Sequence, residues 1–298
     1  MRIADAHCHF FSRRFFETLG RQRGDAAPDG NALAASIGLE APGPPEALAD
    51  RWAAELDRCH VARAALIASV PGDEASVAAA VARHPRRFVG FFMVDPTADG
   101  AAIAVERALD QGLRTACLFP AMHRYPLYDE RVLAVADRLA ARTGTALFVH
   151  CGALSVGVRA KLGLPSPFES RFGNPLDLQL VARRAPSLPI LVPHFGAGLF
   201  REALMIADLC PNIHFDTSSS NAWVRYHPKL TLADVFEQAL AVVGPERLLF
   251  GTDSSFFPRG WQEPIYVQQL AVLGALGVAE QDVARIMSGN FDRLFPVE

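Results

Sequence analysis

Two histidines one residue apart open the chain, in Ile3-Ala4-Asp5-Ala6-His7-Cys8-His9-Phe10. Successive side chains of a strand point to opposite faces, so His7 and His9 share a face, about 7 Å apart, while Cys8 points away. Two imidazoles so placed can converge on one metal ion. Three more groups close apolar runs later in the chain. His150 follows Leu147-Phe148-Val149, His194 follows Ile190-Leu191-Val192-Pro193, and Asp253 follows Leu248-Leu249-Phe250-Gly251-Thr252. Imidazole and carboxylate suit Zn²⁺, Mn²⁺ or Fe²⁺, and two or three His with one Asp leave a coordination position for water. A lone histidine at a strand end is most often a structural, hydrogen-bonded one, and an aspartate there a cap or turn residue. Five such groups, each ending an apolar run, together carry the metal-site reading.

Groups so far apart in sequence meet only in a fold that gathers strand ends. Eight short apolar runs read as strands, at 2–7, 62–68, 88–94, 114–119, 145–150, 189–194, 212–216 and 247–252. Their near-continuous apolar character fits strands buried on both faces. Between them lie amphipathic stretches of helical length at 45–58, 73–83, 98–111, 129–142, 175–184, 199–209 and 232–243, with two more at 261–276 and 280–294. Gly112, Gly144 and Gly244-Pro245 mark turns. Eight strand–helix units in 298 residues predict a single distorted (β/α)₈ TIM barrel over residues 1–298. Its active site is expected at the C-terminal ends of the strands. A doubly wound open sheet is the alternative, but no GxGxxG follows the first strand. Four connections are long, 10–44, 121–127, 151–173 and 218–229, and all leave C-terminal strand ends. Segment 21–44, rich in Gly, Ala and Pro, reads as a lid or a surface insertion.

Composition narrows the class. Half the residues are hydrophobic and 20% are charged, as in a soluble globular protein. A net charge of -3 and basic pairs at Arg13-Arg14, Arg86-Arg87 and Arg183-Arg184 argue against a nucleic-acid partner. No segment reads as a signal peptide or a membrane span. Five cysteines without a CxxC pair read as reduced thiols of a cytoplasmic protein.

The loops expected at the barrel mouth carry candidate substrate contacts. Trp223, Arg225 and His227 follow strand seven; Phe256, Phe257, Arg259 and Trp261 follow strand eight. Guanidinium forks suit a carboxylate and aromatic faces suit a ring, so Arg225, Arg259, Trp223 and Trp261 are expected to bind substrate. Arg159, Lys161 and Arg171 are further candidates, and His123 and Tyr125 sit where they can line the pocket. His60, His84 and His214 read as structural. His214 and Asp216 share a face of strand seven, which leaves Asp216 a minor pocket role.

Several motifs resemble the amidohydrolase superfamily, in particular the amidohydrolase-2 branch that includes aminocarboxymuconate-semialdehyde decarboxylase. They are Asp5-Ala6-His7-Cys8-His9-Phe10, Val94-Asp95-Pro96, Phe148-Val149-His150-Cys151-Gly152, Gly173-Asn174-Pro175, Pro193-His194-Phe195-Gly196, Phe250-Gly251-Thr252-Asp253 and Ser288-Gly289-Asn290-Phe291-Asp292-Arg293-Leu294-Phe295. The resemblance implies that His7, His9, His150 and Asp253 bind one divalent metal, zinc foremost, and that His194 and Asp253 handle protons beside it. Binuclear members carry Lys or Glu at the end of strand four. Here the stretch reads Thr115-Ala116-Cys117-Leu118-Phe119-Pro120, which implies one metal, with Cys117 a buried structural thiol. The implied activity is hydrolysis of a small organic acid, lactone, ester or amide by a metal-activated water. The alternative is non-oxidative decarboxylation of an aromatic or muconate-type acid, and a third reading is a silent metabolite-binding barrel. The implied partners are a small-molecule substrate and, as an assembly, a homodimer.

Overall fold

In the computed structural model, which describes residues 1–218 and 220–297, the eight apolar runs form one parallel sheet in the order β1 to β8. The strands are β1 Ala4–Phe10, β2 Arg63–Ala68, β3 Phe88–Met93, β4 Thr115–Leu118, β5 Ala146–Val149, β6 Ile190–Val192, β7 Ile213–Asp216 and β8 Leu248–Leu249. The sheet curls back so that residues after β8 meet β1. Ala6 N donates to Phe250 O at 2.8 Å, Asp253 N to His7 O at 2.9 Å and His9 N to Ser254 O at 2.7 Å. The result is the expected (β/α)₈ barrel.

The helices are α1 Arg13–Arg23, α2 Gly30–Ser36, α3 Pro45–Arg58, α4 Glu74–Arg83, α5 Ala101–Asp110, α6 Pro120–His123 and α7 Glu130–Ala140. After β5 come α8 Gly157–Lys161, α9 Leu178–Arg184, α10 Phe200–Leu209, α11 Leu232–Val243, α12 Glu263–Ala275, α13 Glu280–Ala284 and α14 Asn290–Leu294. Their apolar faces pack on the outside of the barrel around Trp52, Leu66, Phe92, Leu147, Phe215 and Phe236. Among the described residues, no helix is long and apolar enough to cross a membrane.

Three departures from the sequence reading bear on the site. The first strand runs to Phe10, so His9 lies inside it. It also carries an irregularity: Asp5 pairs with Ala64, but Cys8 pairs with Leu66, so three steps on β1 match two on β2. Such a bulge inverts the inside–outside alternation. Before it, Ala4 and Ala6 pack inside the barrel with Phe148 and Leu191. After it, His7 faces inward, edge-on to Phe148 at 5.2 Å between ring centroids, while Cys8 and Phe10 join the outer layer.

The last strand is the second departure, reduced to two residues. Beyond it a side chain replaces part of the ladder. The Asp5 carboxylate accepts from Thr252 N (3.1 Å), Thr252 Oγ1 (2.5 Å), the Trp261 indole N–H (2.7 Å) and His7 N (2.8 Å). The third departure is segment 21–44. It contains α2, whose Leu33 and Ala34 pack with Phe15, Phe16, Leu19 and Leu39, and with Val158, Leu162 and Leu164 from the β5 loop. The long connections after β1 and β5 therefore share a small apolar core above the barrel, a roof over its mouth.

Candidate active site

The site is built at that mouth from strand ends. His7 Nε2 and His9 Nε2 lie 3.3 Å apart, and Asp253 Oδ1 lies 3.6 Å from the first and 3.2 Å from the second. Among the described residues these three form a group whose donor atoms all lie within 4.8 Å of one another. Small local choices aim them. Asp253 has left-handed backbone, φ 59°, a conformation that Asp tolerates better than most residues. Its carbonyl is held by Gln262 Nε2 at 3.1 Å and Arg259 at 3.3 Å. His9 Nδ1 meets Ser69 Oγ at 2.7 Å, and Ser69 spends its own proton on Ile67 O at 2.9 Å. His9 therefore donates from Nδ1, and its Nε2 turns a lone pair to the centre.

His194 follows β6 in a run of left-handed residues, with φ 58° at His194, 51° at Phe195 and 43° at Ala197. Non-glycine residues there cost on the order of 1–3 kcal/mol each and persist where the surroundings over-determine them. The neighbouring Gly152 has no space for a side chain, since a Cβ would lie 2.2 Å from Gly196 O. The His194 ring packs 4.9 Å from that of His7 and 5.3 Å from that of His150. Its Nδ1 faces Ser218 O at 3.3 Å and Ser218 Oγ at 2.8 Å. A carbonyl only accepts, so Nδ1 carries the proton and Nε2 a lone pair.

The expected fourth ligand, His150, reaches the same cavity but stands outside the three-residue group. It stacks on Phe119 at 5.4 Å, and its Nδ1 is buried with no hydrogen-bond partner. A buried imidazole nitrogen without a partner is costly unless something else satisfies the ring. With the His, His, Asp donor set beside it, this chemistry fits a divalent metal ion.

Electrostatics divide the site. Burial lowers the pKa values of His9, His150 and His194, so neutral rings are favoured there. Burial would lower that of His7 too, but the Asp216 carboxylate beside it prevails and lifts it to about 9. Burial alone would raise that of Asp253. The imidazoles of His9, His7 and His194 gathered around it prevail and hold its carboxyl well below the usual range.

Above these groups lies a cavity of about 320 Å³, bordered by His9, His150, His194 and Asp253 below and by Phe11, Phe15, Leu19, Val158 and Phe256 from the roof. Arg259 lines it, anchored to Ser255 Oγ at 2.6 Å with its guanidinium 4.3 Å from the Phe256 ring centroid. Arg159, Lys161 and His123 also line it. The other three expected substrate contacts do not. Trp261 is buried and gives its N–H to Asp5. Trp223 is buried, packed 5.7 Å from Phe200. Arg225 is exposed and stacks on Tyr226 at 5.1 Å. Asp5, Ser69 and Ser218 serve the site without having been singled out; each sits within three residues of a strand end or ligand, which is the signal that was there to read.

The sequence profile of the amidohydrolase family matches residues 4–297. The chain belongs to this family. No curated protein matches it. Solved structures share the fold at low identity. An uncharacterized TIM-barrel protein from Bordetella bronchiseptica is 18% identical over 99% of this chain and 98% of its own, with a TM-score of 0.67. An amidohydrolase from Burkholderia multivorans with bound zinc is 15% identical over the whole of both chains, with a TM-score of 0.65. A probable 2-pyrone-4,6-dicarboxylic acid hydrolase from Acinetobacter baumannii with citric acid bound is 14% identical over 99% of both chains, at 0.63.

Proposed function

We propose that this amidohydrolase-family enzyme is a metal-dependent hydrolase of a small organic acid carrying a lactone, ester or amide. The observation that supports it most is the convergence of His7 Nε2, His9 Nε2 and Asp253 Oδ1 beneath a cavity that His194 also borders. In this reading His7, His9 and Asp253, with His150 beside them, hold one divalent ion, zinc foremost. The end of β4 offers no second carboxylate or lysine, and Cys117 packs inside the barrel with Phe148. When bound, such an ion supplies Lewis acidity and a more acidic water.

The chain supplies the rest. His194, neutral and with Nδ1–H turned to Ser218, offers Nε2 as the acceptor of the second water proton, shed when the released acid ionises, and returns it to solvent. Asp253, kept ionised, takes a proton from the attacking water and passes it to the leaving group. Arg259 receives the substrate carboxylate, and apolar residues of the roof line the way in.

The test is zinc-loaded protein incubated with a panel of lactones, esters and amides of small acids in ¹⁸O-water. One ¹⁸O atom in the released acid supports hydrolysis. Carbon dioxide released from aromatic or muconate-type acids, with no turnover of the panel, would replace this assignment by a carboxy-lyase.

A further inference from the structure

We infer that Asp216, at the end of β7, is the positioning residue that makes His7 a ligand, an inference that rests on the metal-site reading above. His7 Nδ1 lies 2.5 Å from Asp216 Oδ2, and both side chains are 1% exposed. An ionised carboxylate only accepts, so this bond fixes the proton on Nδ1 and leaves Nε2 to face His9 and Asp253. A carboxylate behind a ligating imidazole orients the ring and raises its basicity as a donor.

Asp216 is itself built into place. Its Oδ1 accepts from Ser218 N at 2.7 Å, which pins the carboxylate plane. Ser218 Oγ lies 3.0 Å from His7 Nδ1 and 2.8 Å from His194 Nδ1, so one turn of backbone serves the ligand and the proton carrier together. The space that Asp216 occupies is kept by Gly251. A Cβ there would lie 2.5 Å from Asp216 Oδ1 and 3.1 Å from His7 Cβ. The glycine of Phe250-Gly251-Thr252-Asp253 thus has a physical reason, since a side chain at that point would displace the carboxylate from His7.

The test is Zn²⁺ affinity of the metal-stripped protein, measured against a competing chelator at one pH, for wild type, Asp216→Asn and Gly251→Ala. Asp216→Asn should weaken zinc about 10–100-fold in protein that circular dichroism shows to be folded, whatever the loss of the His7 pair does to the melting temperature of the metal-free protein. A purely structural role would lower that melting temperature and leave the affinity alone. Gly251→Ala, which keeps the carboxylate but presses on it, should weaken zinc in the same direction by a smaller factor, and it serves if Asp216→Asn does not fold. Wild-type affinity in both variants overturns the inference and leaves the metal site standing. Failure of the wild type to bind zinc overturns both.

Discussion

The two ends of the barrel each hold a cavity of similar size, about 320 Å³ at the mouth and about 400 Å³ at the opposite end. Their chemistry is opposite. The far cavity is bordered by Arg63, Arg86, Phe88 and Arg114, at or just before the starts of strands, and by Phe295 after the last helix. There the buried Arg63 is matched by Asp292 at 2.6 Å and by Phe295 O at 2.7 Å, and Asp292 also meets Arg2 at 3.0 Å. At the mouth, the buried Asp73 carboxylate leans on neutral partners. Asp73 accepts from Ser12 Oγ at 2.7 Å and Ser76 Oγ at 2.5 Å, and burial raises its pKa to about 6. The end that closes the fold pairs Arg63 and Arg2 with one aspartate. The end that carries the site gathers imidazoles around an ionised aspartate on left-handed backbone. Neither cavity size nor unspent hydrogen-bonding capacity separates the two ends, since Arg63 Nε and His150 Nδ1 are both buried without a partner; the kind of titratable group gathered there does.

Substitutions at each end can break this contrast. The largest effect is expected for Asp253→Asn, which keeps the left-handed backbone tolerable but weakens the donor set. Activity should fall about 10⁴-fold or more, with bound metal reduced and the fold retained by circular dichroism. Retained activity would remove Asp253 from the site. His194→Gln should keep the metal and slow turnover about 10²–10⁴-fold, the weight of a general acid–base; metal content and kcat measured on one sample check this. At the other end, Arg63→Met leaves Asp292 to Arg2 alone and Phe295 O without its donor, and should destabilise by about 1–3 kcal/mol in urea melts, with kcat/KM of the folded enzyme unchanged. An activity loss there would mean that the two ends are coupled.

The buried Asp73 gives a pH signature. Its folded carboxyl holds a proton more tightly than the unfolded one, so this group makes stability fall as pH rises from its ordinary 3.8 to about 6. Asp73→Asn should flatten that fall by up to about 3 kcal/mol, read from urea midpoints across the same range; an unchanged slope refutes the assignment. The smallest effect is expected for Arg259→Met, which should raise KM for an acidic substrate about tenfold, roughly 1.4 kcal/mol, with kcat little changed. An equal KM rise for a neutral analogue would mean that Arg259 serves the fold of the loop.

The strands and the convergence of His7, His9 and Asp253 were legible because both are written in residue type and period. His150 was read as a fourth ligand and reaches the cavity, whereas its separation from the three-residue group depends on ring placement, which no spacing encodes. The loop residues were not legible. Arg225 and Arg259 look alike in sequence, yet one stacks on Tyr226 outside and the other is anchored beside Asp253. Trp223 and Trp261 were expected to face a substrate, but a Trp that finds an internal acceptor is drawn inward, and Asp5 is that acceptor for Trp261. Asp216 was visible on the correct face of β7, without the information that His7 would stand behind the same glycine.

The bulge in β1 divides that strand between two masters. Up to Ala6 its inward residues are small fillers of the barrel; from His7 onward they are reagents, and the hand-over costs one extra residue. Were the strand to carry on in the frame of Ala4 and Ala6, Cys8 and Phe10 would face the interior and both imidazoles would turn to the outer layer. The first strand therefore behaves like a key whose teeth are cut in two frames: the barrel reads one, the site reads the other, and the irregularity keeps them in phase.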